Sequence, residues 1–189
     1  MQSPYVNFNY DVKYHIVQYL VKEINQNNYK NVLSVCCGNG YLDNVIKAGC
    51  YNGTKITGID KDKERISYAK TNFKDIDCML FDLEFDNMDF SKFDFAYSVN
   101  GTTFLDDRTY YRLLRNLKGC KAIVDYSAYT TGLSLLKKKI NNVIDVNYKE
   151  KYHRRSIDER DNIFNQCNLE VVDRHIFKRH LLSKLKEKK

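Results

Sequence analysis

Apolar and polar residues alternate along the chain with two different periods. Between positions 11 and 24, the apolar side chains Val12, Ile16, Tyr19, Leu20 and Ile24 recur every three or four residues. This spacing places them on one face of a helix, so the pattern predicts an amphipathic helix. Because this helix precedes the first apolar run of the strand type, we expect residues 1–30 to form an N-terminal helical lid or flank.

Beyond this helix, short apolar runs alternate with helical patterns. The runs predict strands over 31–36, 55–59, 77–81, 93–98, 122–126 and 169–177, with a short seventh strand over 181–185. Helices are predicted after the first strand (Leu42, Val45 and Ile46 inward, ending at Gly49), over 63–73 (Ile66, Ala69 and Phe73 inward), 107–117 and 133–144, and from a Ser156–Glu159 capping box to about Cys167. Such alternation predicts an α/β fold with a doubly wound, mostly parallel sheet and helices on both faces.

Length and composition limit the possible classes of protein. With 189 residues and 43% apolar residues, the chain is large enough for one core and too short for two ordinary domains, so we expect a single domain over 1–189. The absence of a bilayer-length apolar run and of a signal-peptide pattern favours a cytoplasmic protein that does not associate with membranes. The six cysteines lie mostly in or beside predicted elements and lack metal-ligand spacing, which predicts reduced thiols and no metal site.

Two features of the first βαβ unit indicate a nucleoside-binding site. The apolar run at 32–36 ends in Cys37, Gly38, Asn39 and Gly40, and Asp60 follows the next run about twenty residues later. Glycines at a strand-to-helix turn allow a ligand to approach the backbone, and an acid at the end of the second strand accepts hydrogen bonds from ribose hydroxyls. A dinucleotide is disfavoured because Asp43 stands where the third glycine of the fingerprint belongs. Taken alone, Asp60 also suits a helix cap.

Two later strands end in similar residues. Asp82 and Leu83 follow the third predicted strand, and Ser98 and Asn100 lie at the end of the fourth. Together with the glycine loop and Asp60, these positions resemble the motifs of the class I S-adenosylmethionine-dependent methyltransferases. The resemblance runs from about residue 31 to residue 186 and implies a seven-stranded sheet whose last strand is antiparallel.

The resemblance also implies the cofactor, S-adenosylmethionine, and the residues that hold it. Its loop, ribose, adenine and methyl-donor contacts correspond to Cys36, Cys37, Gly38, Gly40, Asp60, Lys61, Asp82, Leu83 and Ser98. Asp82 within its acidic run is also compatible with a solvated turn. One position departs from the family pattern, because Ser34 replaces the usual acid. Either cofactor binding is weaker for this reason, or another carboxylate compensates.

Methyl transfer by displacement at a sulfonium carbon needs an aligned acceptor and, for oxygen acceptors, a base. We assign these catalytic roles to Asn100, at the methyl-donor end, and to His153, in the loop before the capping box. His175 and His180 are expected to be structural, and His15 lies on the first helix facing either way. The 152–155 loop is also compatible with a simple basic connector.

Missing motifs and the charge distribution bear on the acceptor. The fourth strand lacks the Asp/Asn-Pro-Pro-Tyr motif of amino-methylating DNA enzymes, and no Pro-Cys pair supplies a thiolate for cytosine chemistry. Residues 1–133 carry 16 basic and 16 acidic residues, so the net charge of +7 lies entirely within 134–189. Because the motifs of the DNA enzymes are missing, we predict a small-molecule acceptor. The alternatives are an RNA or tRNA methyltransferase that uses the basic end, and a non-catalytic binding or scaffold subunit of the same fold.

Overall fold

Seven strands and five α-helices make up the part of the chain that the computed structural model describes, residues 10–87, 89–130, 153–177 and 180–188. The strands are β1 (Asn31–Val35), β2 (Lys55–Asp60), β3 (Asp77–Leu80), β4 (Phe95–Val99), β5 (Ala122–Ala128), β6 (Leu169–Phe177) and β7 (His180–Glu187). The helices are α1 (Tyr10–Gln26), α2 (Tyr41–Gly49), α3 (Lys63–Asn72), α4 (Asp107–Asn116) and α5 (Ile157–Gln166), and a 3-10 helix spans Gly101–Phe104.

All seven strands form one sheet in the order β3-β2-β1-β4-β5-β7-β6. The first five strands pair in parallel, and β7 runs antiparallel to both β5 and β6. The predicted fold class and the antiparallel last strand are therefore confirmed. The strand order changes direction between β1 and β4, and an open α/β sheet places its ligand at the carboxyl edge at that point.

The side chains of successive residues in the central strands pack into two cores, one on each face of the sheet. Val32 packs with the first three helices, where Ile16, Leu20 and Ile46 are fully buried. The next residue, Leu33, packs on the other face with side chains of α4 and α5. This alternation follows from the period of two of a β-strand, whose successive side chains point to opposite faces of the sheet. As a result, α1 covers one face of the sheet.

Some of the predicted boundaries and burial patterns are wrong. Strand β7 has eight residues rather than five, because it pairs with β6 along its whole length and with β5 over residues 180–185. Val45 is exposed, and Asp43 takes a buried position on α2 instead. The 3-10 helix at Gly101–Phe104 was not predicted, since a single short turn has no periodicity to detect. The predicted helix over 133–144 lies outside the described residues.

Three further observations concern the described residues alone. None of their helices is both long and apolar enough to cross a bilayer. No three of their His, Cys, Asp and Glu side chains are grouped so that they could hold a metal ion. All six cysteines are free thiols, with Cys78, Cys120 and Cys167 buried.

Candidate functional site

The glycine loop, residues 36–40, turns sharply because three of its residues have a left-handed backbone. Cys36, Gly38 and Gly40 have φ values of 56°, 61° and 72°. A Cβ on Gly40 would lie 3.0 Å from side-chain atoms of both Ala69 and Ile76, so the loop packs closely against α3 and the segment before β3. A side chain at Gly40 would be both strained and crowded. The two glycines thus have different roles: Gly40 seats the loop and Gly38 faces the cavity described below.

Asp60 ties this loop to the end of β2. One carboxylate oxygen accepts the backbone N–H of Gly38 at 2.8 Å, and the other accepts the N–H of Asp62 at 2.9 Å. Asp62, rather than Asp60, is the N-cap of α3, with its side chain accepting from Glu64 and Arg65. A carboxylate oxygen has two lone pairs, so each oxygen of Asp60 retains acceptor capacity for a ligand.

A cavity of about 270 Å³ lies between the glycine loop and the 3-10 helix. Five of the predicted site residues line it: Cys36, Cys37, Gly38, Asp60 and Asn100. The fold therefore brings together residues from the ends of β1, β2 and β4. We refer to this space as the loop cavity.

The other predicted cofactor residues do not line the loop cavity. Asp82 accepts the N–H of Glu84 at 2.9 Å, which is a local turn contact. The side chain of Leu83 packs in the core and Lys61 is exposed. Ser98 is buried, and its hydroxyl has no partner among the described residues. The roles of these four residues in cofactor binding remain predictions.

The wall opposite the glycine loop is held by backbone contacts. Asn100, with a φ of 63°, donates its N–H to the carbonyl of Tyr126 at 2.6 Å. The next residue, Gly101, passes so close to the loop that an added Cβ would lie 2.3 Å from the Cβ of Cys36. No side chain fits in that gap, which explains the glycine. Phe104 closes the 3-10 helix and lines the cavity while half-exposed.

Arg155 holds the 3-10 helix of this wall in place. Its guanidinium donates to the carbonyls of Thr102 (3.1 Å) and Leu105 (2.7 Å) and pairs with Asp107 at 2.8 Å. The same group lies 4.5 Å over the ring of Tyr110. A planar fork that donates in several directions and stacks on an aromatic ring is specific to arginine. Arg155 thereby anchors both ends of the 3-10 helix.

His153 is held beside the same wall. Its backbone N–H donates to the carbonyl of Thr103 at 2.6 Å, and its carbonyl accepts from Arg155 at 3.2 Å. The pKa of Asp106 is lowered chiefly by the N–H of Thr109, with a smaller contribution from the charge of His153. The imidazole is half-buried near the 3-10 helix and not among the residues that line the loop cavity. The role of His153 remains a prediction.

Behind the glycine loop lies a buried carboxylate. Asp43, in the first turn of α2, is 1% exposed, and its Oδ1 accepts from Ser34 at 2.8 Å and from Tyr97 at 2.7 Å. Burial raises the pKa of Asp43 to about 6, although the bonds from Tyr97 and Ser34 oppose this shift. A carboxylate therefore lies within one hydrogen bond of Ser34, the position where the predicted acid is missing.

Sequence reasoning missed several residues of the site. Arg65 lines the loop cavity next to Gly38, and Asp43 lies directly behind it. For Asp43 a signal existed, because an acid three residues before Ile46 falls on the apolar face of α2. Arg155 gave no such signal, since its partners are carbonyl groups that come together only in the folded chain.

These features fit a nucleoside that carries an amino acid. Asp60 offers acceptors for ribose hydroxyls, the loop at Gly38 leaves its backbone accessible, and Asp43 places negative charge beneath the cavity. The start of α2 lies at the same loop, where a helix N-terminus favours a carboxylate. S-adenosylmethionine combines a ribose, a carboxylate and two cationic centres, so the residues present suit it.

The chain is similar in sequence to known methyltransferases. A family model described as "Methyltransferase domain" matches residues 32–120, which include the glycine loop, Asp60 and the 3-10 helix. The protein named "Putative methyltransferase 235L" of Invertebrate iridescent virus 6 is 28% identical over 149 residues, 75% of this chain and 56% of that relative. The chain thus spans little more than half of the relative's length.

Solved structures of low identity share the fold. The magnesium protoporphyrin IX methyltransferase of Synechocystis PCC 6803, solved with bound SAH, has a TM-score of 0.70 and 13% identity, covering 100% of this chain and 89% of that one. The methyltransferase domain of bacterial CtHen1-C has a TM-score of 0.68 and 14% identity, covering 91% and 96%. The matched segment, the sheet order and the loop geometry agree with the predicted resemblance: residues 32–120 match the methyltransferase domain family, and the chain has the fold of these solved methyltransferases.

Proposed function

We propose that this protein transfers the methyl group of S-adenosylmethionine to a small-molecule acceptor. The observation that supports this function most strongly is the hydrogen bond between Asp60 and the N–H of Gly38. It puts a carboxylate at the edge of the cavity, beside a residue that has no side chain. Asp60 holds the ribose, and the start of α2, which follows Gly38, holds the amino-acid end. Cys36, Cys37 and Asn100 line the remaining surface.

Methyl transfer requires mainly that the protein position the acceptor and remove its proton. When bound, the cofactor supplies an electrophilic methyl group on a sulfonium. Asn100, held by Tyr126 and by the close contact at Gly101, orients the acceptor at the cavity wall. His153, held by Thr103 and Arg155, takes the proton of a hydroxyl acceptor.

The contacts of the basic C-terminal end favour a small molecule over a nucleic acid. Lys184 pairs with Glu23 at 2.7 Å, with both side chains largely buried, and Lys188 donates to Asn165 at 3.0 Å. Lys186 lies opposite Glu170 in the β6–β7 ladder. These three lysines lie beside polar or acidic residues of the protein itself, so less positive charge is available to bind phosphate groups.

Cofactor binding is the first test. Calorimetry is expected to show micromolar binding of S-adenosylmethionine or its demethylated product S-adenosylhomocysteine, on the order of 7 to 9 kcal/mol, and no comparable binding of NAD. Asp60→Ala is expected to weaken binding by roughly 1.5 to 3 kcal/mol, because hydrogen bonds to a charged acceptor are lost. Tighter binding of NAD than of either ligand contradicts the proposal.

A ligand-side control separates ribose contact from loop support, since Asp60 also holds Gly38. The probe is S-adenosylhomocysteine without its ribose 2′-hydroxyl. The wild type is expected to bind this analogue more weakly than the parent compound, whereas Asp60→Ala binds both alike. If the variant still discriminates between them, Asp60 supports the loop alone.

The nucleic-acid alternative is tested through the basic end. Lys186→Gln with Lys188→Gln keeps strand β7 intact, unlike truncation, and removes two charges that point away from the core. At physiological salt we expect RNA binding no tighter than about 10⁻⁴ to 10⁻⁶ M, unchanged by this double substitution. Lys70→Gln on α3 is the matched control. Tight RNA binding whose salt dependence becomes shallower in the double variant, and not in the control, establishes the alternative instead.

A further inference from the structure

The buried carboxylate of Asp43 has no counter-charge in the described part of the chain. Its Oδ1 accepts two hydrogen bonds, whereas its Oδ2 is buried with no partner at all. Hydroxyl groups of Ser34 and Tyr97 supply dipoles but no positive charge. An ionised carboxylate without a cation is costly to bury, so such a group is usually paired.

The loop cavity lies next to this carboxylate. Leu42, the neighbour of Asp43 on α2, lines the loop cavity, as does Cys37. The Oδ2 of Asp43 lies 3.2 Å from the point where a Cβ on Gly58 would stand, and the side chain of Cys37 lies 2.9 Å from the same point. The orphan oxygen and the side chain of Cys37, a residue that lines the cavity, thus lie against the same point of β2.

We infer that Asp43 is the buried counter-charge for the cationic methyl donor, and that it makes the cavity prefer S-adenosylmethionine to its neutral product. This inference rests on the proposed function. At neutral pH the donor carries a net positive charge from its sulfonium and ammonium groups, whereas S-adenosylhomocysteine has none. Coulomb attraction across a few ångströms of protein is much stronger than in water. Loss of the methyl group removes that attraction and aids release of the product.

Several titratable groups face Asp43, and their effects have known directions. Tyr97 of β4 donates to it, Cys37 of the glycine loop and Cys78 of β3 lie nearby, and Asp60 at the end of β2 raises its pKa through like charge. With a pKa raised to about 6, Asp43 is ionised at neutral pH and protonated under acid conditions. A cation in the cavity favours the ionised form, so affinity for the donor rises as pH rises through 6.

The test compares two ligands that differ in charge. Calorimetry with S-adenosylmethionine and S-adenosylhomocysteine gives the ratio of their affinities at about pH 5 and about pH 7.5, and we expect the wild-type preference for the donor to grow about tenfold over this range. In Asp43→Asn the ratio is expected to be low and independent of pH. Tyr97→Phe removes a bond that lowers the pKa of Asp43, so the rise is expected at higher pH. The exposed Asp75→Asn is the matched control and is expected to behave as the wild type.

The outcomes separate this inference from the proposed function. If the wild type binds neither ligand, the proposed function itself fails. If both ligands bind, but their ratio is unchanged by pH and by Asp43→Asn, then Asp43 is only structural and the inference is wrong. The wild-type pH profile decides the matter even if Asp43→Asn does not fold. Equal loss of both affinities in a folded variant also overturns the inference, because a structural defect does not distinguish charge.

Discussion

His153→Ala is expected to lower methyl-transfer turnover by about 10²- to 10⁴-fold while leaving the affinity for S-adenosylhomocysteine nearly unchanged. The backbone of His153 is held by Thr103 and Arg155 beside the 3-10 helix that walls the loop cavity, and His153 is not among the residues that line this cavity. Removing the imidazole therefore removes the proposed base and leaves the lining of the loop cavity unchanged. Turnover is measured as S-adenosylhomocysteine formation with the acceptor found by metabolite profiling of cells that lack the protein.

A second histidine provides the control for this experiment. His175 lies on β6, partly exposed and bonded to Asp173 at 3.1 Å, away from the cavity lining. His175→Ala is expected to retain full activity. Full activity in His153→Ala as well rejects the base, whereas joint loss of turnover and cofactor affinity places His153 on the cofactor side. Cofactor binding without turnover on any acceptor in the wild type favours the non-catalytic alternative.

Arg160→Met is expected to lower the free energy of unfolding by about 3 to 5 kcal/mol, measured by urea denaturation. Arg160 and Asp125 form an ion pair at 3.3 Å, with both side chains 3% exposed. Asp125 also accepts hydrogen bonds from Tyr110 and Thr102, each at 2.7 Å. Methionine fills a similar volume but leaves the carboxylate buried without its cation, which is the costly half of the change.

Two further variants test whether the loss of stability comes from the burial of this ion pair. Adding Asp125→Asn to Arg160→Met is expected to recover much of the lost stability, since a neutral amide can stay bonded to Tyr110 and Thr102. Lys121→Met breaks the exposed pair with Asp94 and is expected to cost about 1 kcal/mol or less. A small effect of Arg160→Met, equal to that of Lys121→Met, contradicts the importance of the buried pair.

Patterns of short range predicted most of the fold. The strands from β1 to β6 appear within one or two residues of their predicted ends, because each apolar run has the length and flanking turns of a buried strand. The capping box at Ser156 is present as predicted, with the Ser156 and Glu159 contacts both formed. Strand β7 extends two residues beyond its predicted end, because its polar outer residues hide a strand that pairs with two neighbours.

The sequence by itself determined the side of the sheet that carries the site. Glycines and acids at the ends of apolar runs are local signals, and parallel strands bring their carboxyl ends to one edge. That reasoning found Gly38, Asp60 and Asn100 at one cavity, although they are far apart in the chain.

Only the tertiary structure decided which charges are buried and what opposes them. Asp43 meets Ser34 and Tyr97 across three elements, and Arg155 meets the carbonyls of Thr102 and Leu105 some fifty residues away. The period of α2 indicates that Asp43 is buried, but the sequence does not indicate the partners of Asp43 or of Arg155, because these depend on how α2 and the 3-10 helix pack on the sheet. The energy of a charge depends on its surroundings in three dimensions, so residue type and spacing alone do not fix it.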